Sequence, residues 1–289
     1  MHNSNKNIEF GTLYVVATPI GNINDISFRA VEILSKVTLI ATEDTRHSKK
    51  LLNAYGIKTR QVSYHKFNEL ERCDYLIKLL KKGDDIAIIS DAGTPCISDP
   101  GDVIISQAHK ENICITPIPG ASSVISAICA SGYAANGFKF IGFLPKKISQ
   151  KKEILKNSTK NDCALIFFES PNRVISTLTE LRNIYNNNKE LCIAKEISKI
   201  YEDIKIKKID DWLNYFEKDN KEKLKGEFVF IIPASENNNE DYSENEIEEF
   251  IKFLIDYKIS YSTALKIVCK RFKISKNDIY KKYIHLANN

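Results

Sequence analysis

Along the first half of the chain, short apolar runs alternate with amphipathic segments, and no other feature constrains the fold as much. The runs Leu13 to Ala17, Leu39 to Thr42 and Asp85 to Ser90 are short and continuous, as expected of strands buried on both faces; a further short strand is read at Gln61 to Ser63. Between and after them, Phe28 to Ser35, Thr45 to Tyr55, Asn68 to Lys81 and Val103 to Lys110 carry apolar residues at helical spacing. Such an alternation builds a mostly parallel sheet with helices on its faces.

The segment Pro117 to Ser123, Pro-Ile-Pro-Gly-Ala-Ser-Ser, breaks the pattern and launches an apolar helix, so the boundary between two α/β domains is expected near it, dividing 8–118 from 119–235. In the second domain strands are expected at Phe138 to Gly142, Cys163 to Glu169, Leu191 to Lys195, Ile204 to Lys208 and Glu227 to Ile232, with a helix at Arg173 to Tyr185. Several of these neighbours leave no room for a crossover helix, which predicts a mixed sheet with hairpins. Residues 236–289 read as an acidic linker and a helical domain. Glu236 to Glu249 hold seven acidic side chains and no basic one, and from Lys258 onward eight Lys or Arg face one Asp. The basic tail reads first as the solvated face of a packed cap and second as an RNA-binding face.

Composition narrows the class. A hydrophobic share of 43% excludes a disordered chain, and a net charge of +5 permits a polyanionic partner without requiring one. Seven cysteines without a CxxC pair offer neither a redox couple nor half a zinc site, and read as reduced thiols of a cytosolic protein. Neither a secretory leader nor a membrane span is recognised, so a cytoplasmic protein is expected.

Five polar segments could carry chemistry. Ile88 to Gly101 runs from a buried strand through a loop with Asp91, Gly93, Asp99 and Gly101 into a helix, and in an open α/β sheet such a loop sits at the ligand-binding edge. Its small residues let backbone amides approach a ligand, and Asp91 suits a cationic amine, yet by composition a structural turn is equally acceptable. Ala17 to Asn22 follows the first strand and would lie at the same edge. Thr42 to His47 sits where a strand becomes a helix, and helix capping explains its acids as readily as function does. Phe167 to Arg173 and Lys195-Glu196 place charges at strand ends. No dinucleotide fingerprint, phosphate-binding loop, Ser-His-Asp order or metal constellation is present, so no metal is expected.

Taken in order, Gly11 to Asn22, Glu43-Asp-Thr-Arg46, Ser90 to Pro95, Ile97 to Gly101, Gly142-Phe-Leu-Pro145 and Glu169-Ser-Pro-Asn-Arg173 closely resemble the small-subunit ribosomal RNA 2′-O-methyltransferase I group of the tetrapyrrole methylase superfamily. The resemblance runs from about residue 10 to the helical tail. It implies two α/β domains with S-adenosylmethionine in the cleft between them, a small C-terminal helical domain and a homodimer. The implied reaction is methyl transfer to the ribose 2′-oxygen of a cytidine in the decoding region, on free RNA or the assembled subunit. It assigns cofactor contacts to Pro19, Asp91, Ala92, Gly93, Thr94, Ile97, Ser98 and Ser122, with Phe168 flanking the adenosine. Cys96 stands where relatives often have Gly or an aliphatic residue, and Ala121 where many have Pro.

Methyl transfer is an in-line displacement, which needs alignment and a closed cleft, and a base for the ribose hydroxyl adds roughly 10²- to 10⁴-fold. The charged candidates at the cleft mouth are Asp44, Arg46, Glu169, Arg173, Lys195 and Glu196. Glu169 or Glu196 is expected to assist proton removal, with Arg46, Arg173 and Lys195 holding phosphate or ribose. Two rival readings are a methylase of a tetrapyrrole or corrinoid precursor and a non-catalytic RNA-binding assembly protein.

Overall fold

The computed structural model describes residues 9–185, 188–217, 224–235, 244–272, 274, 276–283 and 286. They form two compact units that divide between Ala234 and Ser235. The linker read at Glu236 to Glu249 lies outside the described residues up to position 243.

In the first unit, β1 (Leu13–Val16), β2 (Leu39–Thr42), β3 (Gln61–Ser63), β4 (Ile86–Ile89) and β5 (Ile115–Ile118) make a parallel sheet in the order β3-β2-β4-β1-β5. Helices α1 (Phe28–Lys36), α2 (Thr45–Ala54), α3 (Glu69–Leu80) and α4 (Asp102–Lys110) connect its strands. Alternation along β4 sends Ile86 and Ile88 into one cluster with Leu76, Leu80 and Ile104, and Ala87 and Ile89 into another with Leu34 and Leu52. Both faces are therefore covered, which is why these strands read as continuous apolar runs.

The sequence reading takes 117–123 as punctuation, but β5 runs through Pro117. Among the described residues the strand pairs with β1 alone. At a sheet edge the missing N–H of proline interrupts no ladder, so the breaker signal masks a real strand.

After α5 (Ser123–Ser131) comes a second sheet in the order β6-β7-β10-β8-β9, built from β6 (Phe138–Phe143), β7 (Ala164–Glu169), β8 (Glu190–Lys195), β9 (Asp203–Lys208) and β10 (Phe228–Ile232). It is mixed, as the short connections demand: β6 and β7 are parallel, while β7-β10, β10-β8 and β8-β9 are antiparallel. One face packs Phe167, Phe230 and Ile193 with Leu178 of α7 (Val174–Ile184) and Trp212 of α8 (Ile209–Glu217); the other packs Ile166, Ala194 and Ile231 with α5. Helix α6 (Ile148–Ser158), unread in the sequence because lysines dilute its apolar face, buries Leu155 in the first of these clusters.

The second unit holds α9 (Glu244–Asp256), α10 (Tyr261–Phe272) and α11 (Lys276–Tyr283) around Ile251, Leu265, Val268 and Phe272. Among the described residues, no helix is long and apolar enough to cross a membrane.

Gly101 starts α4 with φ +146°, and a Cβ there would run into Cys96 Sγ. Gly101→Ala combines backbone strain with a steric clash, and we expect it to lower stability by about 2–4 kcal/mol, read as an earlier urea midpoint at unchanged slope.

Candidate functional site

Strands β1 and β4 are neighbours, so the loops leaving their carboxyl ends meet. Thr18 and Gly93 exchange both backbone hydrogen bonds, the Thr18 amide donating to Gly93 O at 2.8 Å and the Gly93 amide to Thr18 O at 3.0 Å. Thr94 Oγ1 donates to Ala121 O at 3.2 Å, tying the same loop to the entry of α5. Within the loop Gly93, Cys96 and Ser98 have φ of +84°, +71° and +72°. The chain thus turns tightly enough to present successive backbone groups and small side chains to one space. The left-handed backbone at position 96 is one that Gly adopts without a Cβ penalty, and here Cys96 carries that penalty.

That space is a cavity of about 480 Å³ in the first unit. Asp91, Ala92, Gly93, Thr94, Ile97 and Ser98 form one wall, Ser122 stands at the entry of α5, and Phe168 comes from β7. Eight of the nine cofactor-contact residues expected from the resemblance therefore line one cavity; Pro19 does not, but its neighbour Ile20 does. Ile20, Ala194, Ile197 and Val229 supply apolar lining that sequence reasoning did not single out, because in sequence they are ordinary core positions.

Five acidic residues line the cavity: Glu43, Asp91, Asp99, Glu169 and Glu227. Burial, with the negative charge of Glu43 next, pushes the Asp99 carboxyl up to about 6; a hydrogen bond from Ser90 opposes the rise and Asp91 adds to it. Burial likewise raises Glu43, with Asp91 adding and His65 opposing. Neither Glu43 nor Asp99 is among the six charged candidates named from the sequence, although both stand inside quoted motifs. Capping masked the first: its neighbour Asp44 does cap α2, accepting from the Arg46 amide at 2.8 Å, while Glu43 lines the cavity. Asp99 lies in a loop whose composition suits a structural turn as well as a ligand loop.

The charged candidates are placed differently from expectation. Of the six, only Glu169 lines the cavity, and its side chain is wholly buried with both oxygens engaged. Oε1 accepts from the Ser170 amide at 2.9 Å and lies 3.2 Å from Arg173 Nε; Oε2 accepts from Thr177 Oγ1 at 2.7 Å. Arg173 in turn donates from Nη2 to Pro145 O at 2.9 Å. The Gly142–Pro145 and Glu169–Arg173 motifs are thus one structural unit, a buried carboxylate holding a guanidinium that anchors the next loop. Lys151 Nζ, 3.4 Å from Thr177 Oγ1, completes the network, its amine lowered by burial despite the opposing charge of Glu169.

Glu196 has φ +52°, and its Oε1 accepts from Lys199 Nζ at 2.8 Å and from the Glu227 amide at 2.9 Å. Burial raises its carboxyl, but the hydrogen bonds from Lys199 and Glu227 outweigh this and hold it below the usual range. Lys195 Nζ lies 5.9 Å from the Phe228 ring centre. Arg46 is exposed and pairs with Asp44 at 3.3 Å.

Comparison with known proteins places this geometry. Residues 12–212 match the family of tetrapyrrole (corrin/porphyrin) methylases. The chain is 41% identical, over 93% of its length and 95% of the relative's, to a protein of Haemophilus influenzae named ribosomal RNA small subunit methyltransferase I. A Synechocystis protein of the same name is 36% identical over 96% of this chain and 98% of its own. Among solved structures, a cobalt precorrin-4 methyltransferase superposes with a TM-score of 0.56 at 15% identity, covering 76% of this chain and 94% of that one. A uroporphyrin-III C-methyltransferase from Thermus thermophilus gives 0.54 at 15% identity, covering 78% and 95%.

Proposed function

Since the chain belongs to the tetrapyrrole methylase family, and within it to the ribosomal RNA small subunit methyltransferase I group, we propose that it methylates the ribose 2′-oxygen of a cytidine in the decoding region of small-subunit ribosomal RNA, using S-adenosylmethionine. The reading includes action in the cytoplasm and a homodimer. The observation that carries it is the cavity in which the Asp91–Asp99 loop faces Phe168 and Ser122.

The residues present fit the cofactor. S-adenosylmethionine carries a sulfonium and an ammonium, and Glu43, Asp91 and Asp99 are among the acidic residues lining this cavity; its adenosine needs apolar walls, which Ile20, Ile97, Phe168 and Val229 supply. A Cβ on Gly93 would come within 3.2 Å of Ile20 Cγ2, so the close backbone approach needs glycine there. When bound, the cofactor supplies an electrophilic methyl group on sulfur. Asp91 would hold the cationic end, the backbone of Ala92 to Thr94 would cradle the rest, and the apolar wall would exclude water.

Removal of the hydroxyl proton falls to Asp99 in this reading. Glu169 is committed to Arg173, Ser170 and Thr177, and Glu196 to Lys199 and the Glu227 amide, whereas Asp99 faces the cavity with a carboxyl raised toward neutrality. Glu169 and Arg173 become positioning residues, and Lys195 and Arg46 stand outside the cavity lining.

Calorimetric titration with S-adenosylmethionine, followed by transfer of labelled methyl to small ribosomal subunits lacking the modification, tests the proposal. Saturable binding with label on a cytidine ribose is the expected result. Binding without RNA labelling would favour a tetrapyrrole or corrinoid substrate, the chemistry named for the two structural neighbours. Absence of cofactor binding would leave an RNA-binding module.

A further inference from the structure

From the placement of Phe143 we propose that this ring is the stacking platform for the base of the nucleotide being methylated; the inference rests on the RNA-methyltransferase reading above. Phe143 ends β6 beyond a shift of register: Phe140 pairs with Ile166 and Phe143 with Phe168, so one extra residue is accommodated between them. Gly142, at φ +66°, makes that kink, and a Cβ on it would stand 3.1 Å from Ser98 Oγ of the cavity loop. Irregularities of this kind re-aim a side chain. Here the re-aimed ring lines the cavity and is still 58% exposed.

A large apolar ring left open to water at a cavity mouth, on a strand end built to present it, fits a flat partner that arrives from solvent. The ring is also braced. Phe168 meets it edge-on at 5.4 Å between centres, and Phe140 meets Phe168 at 4.9 Å, so the platform cannot fold back into the wall. Depth separates two roles. Phe168, half-buried, faces what lies inside the cavity, while Phe143 at the rim faces what enters after it.

Charge beside the ring points to a nucleic acid. Lys146 and Lys147 are exposed directly after Pro145, whose carbonyl is pinned by Arg173. An aromatic face followed within one short loop by two cations matches a base and its flanking phosphates, the combination by which single-stranded nucleic acid is held. A base taken out of its stack needs such a surface while its ribose is presented to the reacting groups.

The experiment compares Phe143→Ala, Phe143→Leu and Phe143→Trp with the native protein, measuring S-adenosylmethionine affinity by calorimetry and methyl-transfer kinetics on unmodified small ribosomal subunits. Phe143→Ala and Phe143→Leu are expected to raise KM for the subunit by roughly 5- to 100-fold, with Phe143→Trp close to native, because stacking needs a ring and not merely apolar bulk. Cofactor affinity stays within about twofold in all three. Lys146→Gln with Lys147→Gln is expected to flatten the salt dependence of subunit binding by about one to two phosphate contacts. Unchanged KM in Phe143→Ala, rescue by Leu as well as by Trp, or a loss confined to cofactor affinity would each overturn the proposal. A native protein that binds cofactor but labels no RNA would instead remove the functional reading on which it rests.

Discussion

Exchanging Asp99 for Asn is expected to slow methyl transfer roughly 10²- to 10⁴-fold while leaving the folded protein more stable at neutral pH. Both effects come from one cause. Burial, reinforced by Glu43, raises the Asp99 carboxyl from its usual value of 3.8 to about 6. Between roughly pH 4 and 6 the folded protein therefore binds more protons at this site than the unfolded chain, so stability falls as pH rises through that window. At neutral pH the ionised carboxylate costs about 1 kcal/mol, allowing for solvent screening of a half-buried group. Asn removes that cost, and the gain should vanish below about pH 4, where the native residue is protonated in both states.

The same group predicts that kcat/KM of the native enzyme rises with pH through about 6 and that the Asn variant loses this limb. Thermal melts at pH 4 and 7, with a pH-rate profile on unmodified small subunits, check all three statements. A fully active Asn variant would remove Asp99 from proton transfer. An inactive variant that has also lost cofactor binding would make it a cofactor ligand instead.

Glu169→Ala should be the most destabilising of the single substitutions considered. It deletes a wholly buried carboxylate that receives bonds from Thr177 and the Ser170 amide and pairs with Arg173. Arg173 and the buried amine of Lys151 would then lack their counter-charge, and breaking a buried pair from one side costs about 3–5 kcal/mol. For a unit of this size, that lowers the melting temperature by roughly 10 °C or somewhat more. Because Arg173 also holds Pro145 O, the Phe143 loop should loosen too, raising KM for RNA among the molecules that remain folded. A double variant with Arg173→Ala should cost much less than the sum of the two single changes. A Glu169→Gln protein with native stability and turnover slowed 100-fold would return the proton-accepting role to Glu169.

How far the sequence reaches differs between fold and site. Strands β1, β2 and β4 of the first sheet were legible because burial on both faces leaves no polar alternation, and the chain writes that as Ile86-Ala-Ile-Ile89. The mixed second sheet was legible from connections too short for a crossover. What failed were signals with two meanings. Pro117 marks a break in most settings and a sheet edge in this one. Helix α6 hides its buried face under lysines, one of which, Lys151, is itself buried.

For the site, the motifs gave the loop residues that line the cavity, since Gly93 and its small neighbours are chosen for local conformation, and local conformation is written locally. The charged residues were not decided in the same way. Glu169, Glu196, Glu43 and Asp99 are all carboxylates at strand ends or in loops. Their sequence neighbourhoods do not say which is saturated by Arg173, which is held by Lys199, and which faces an open cavity. A carboxylate's role depends on burial and on the charges around it, and those come from residues far apart in the chain, as Glu43 does for Asp99. The sequence by itself determined the alternating elements, the family and the loop that makes the cavity. Only the tertiary structure decided which acids hold the walls and which face the cavity, because desolvation and long-range pairing do not exist until the chain has folded.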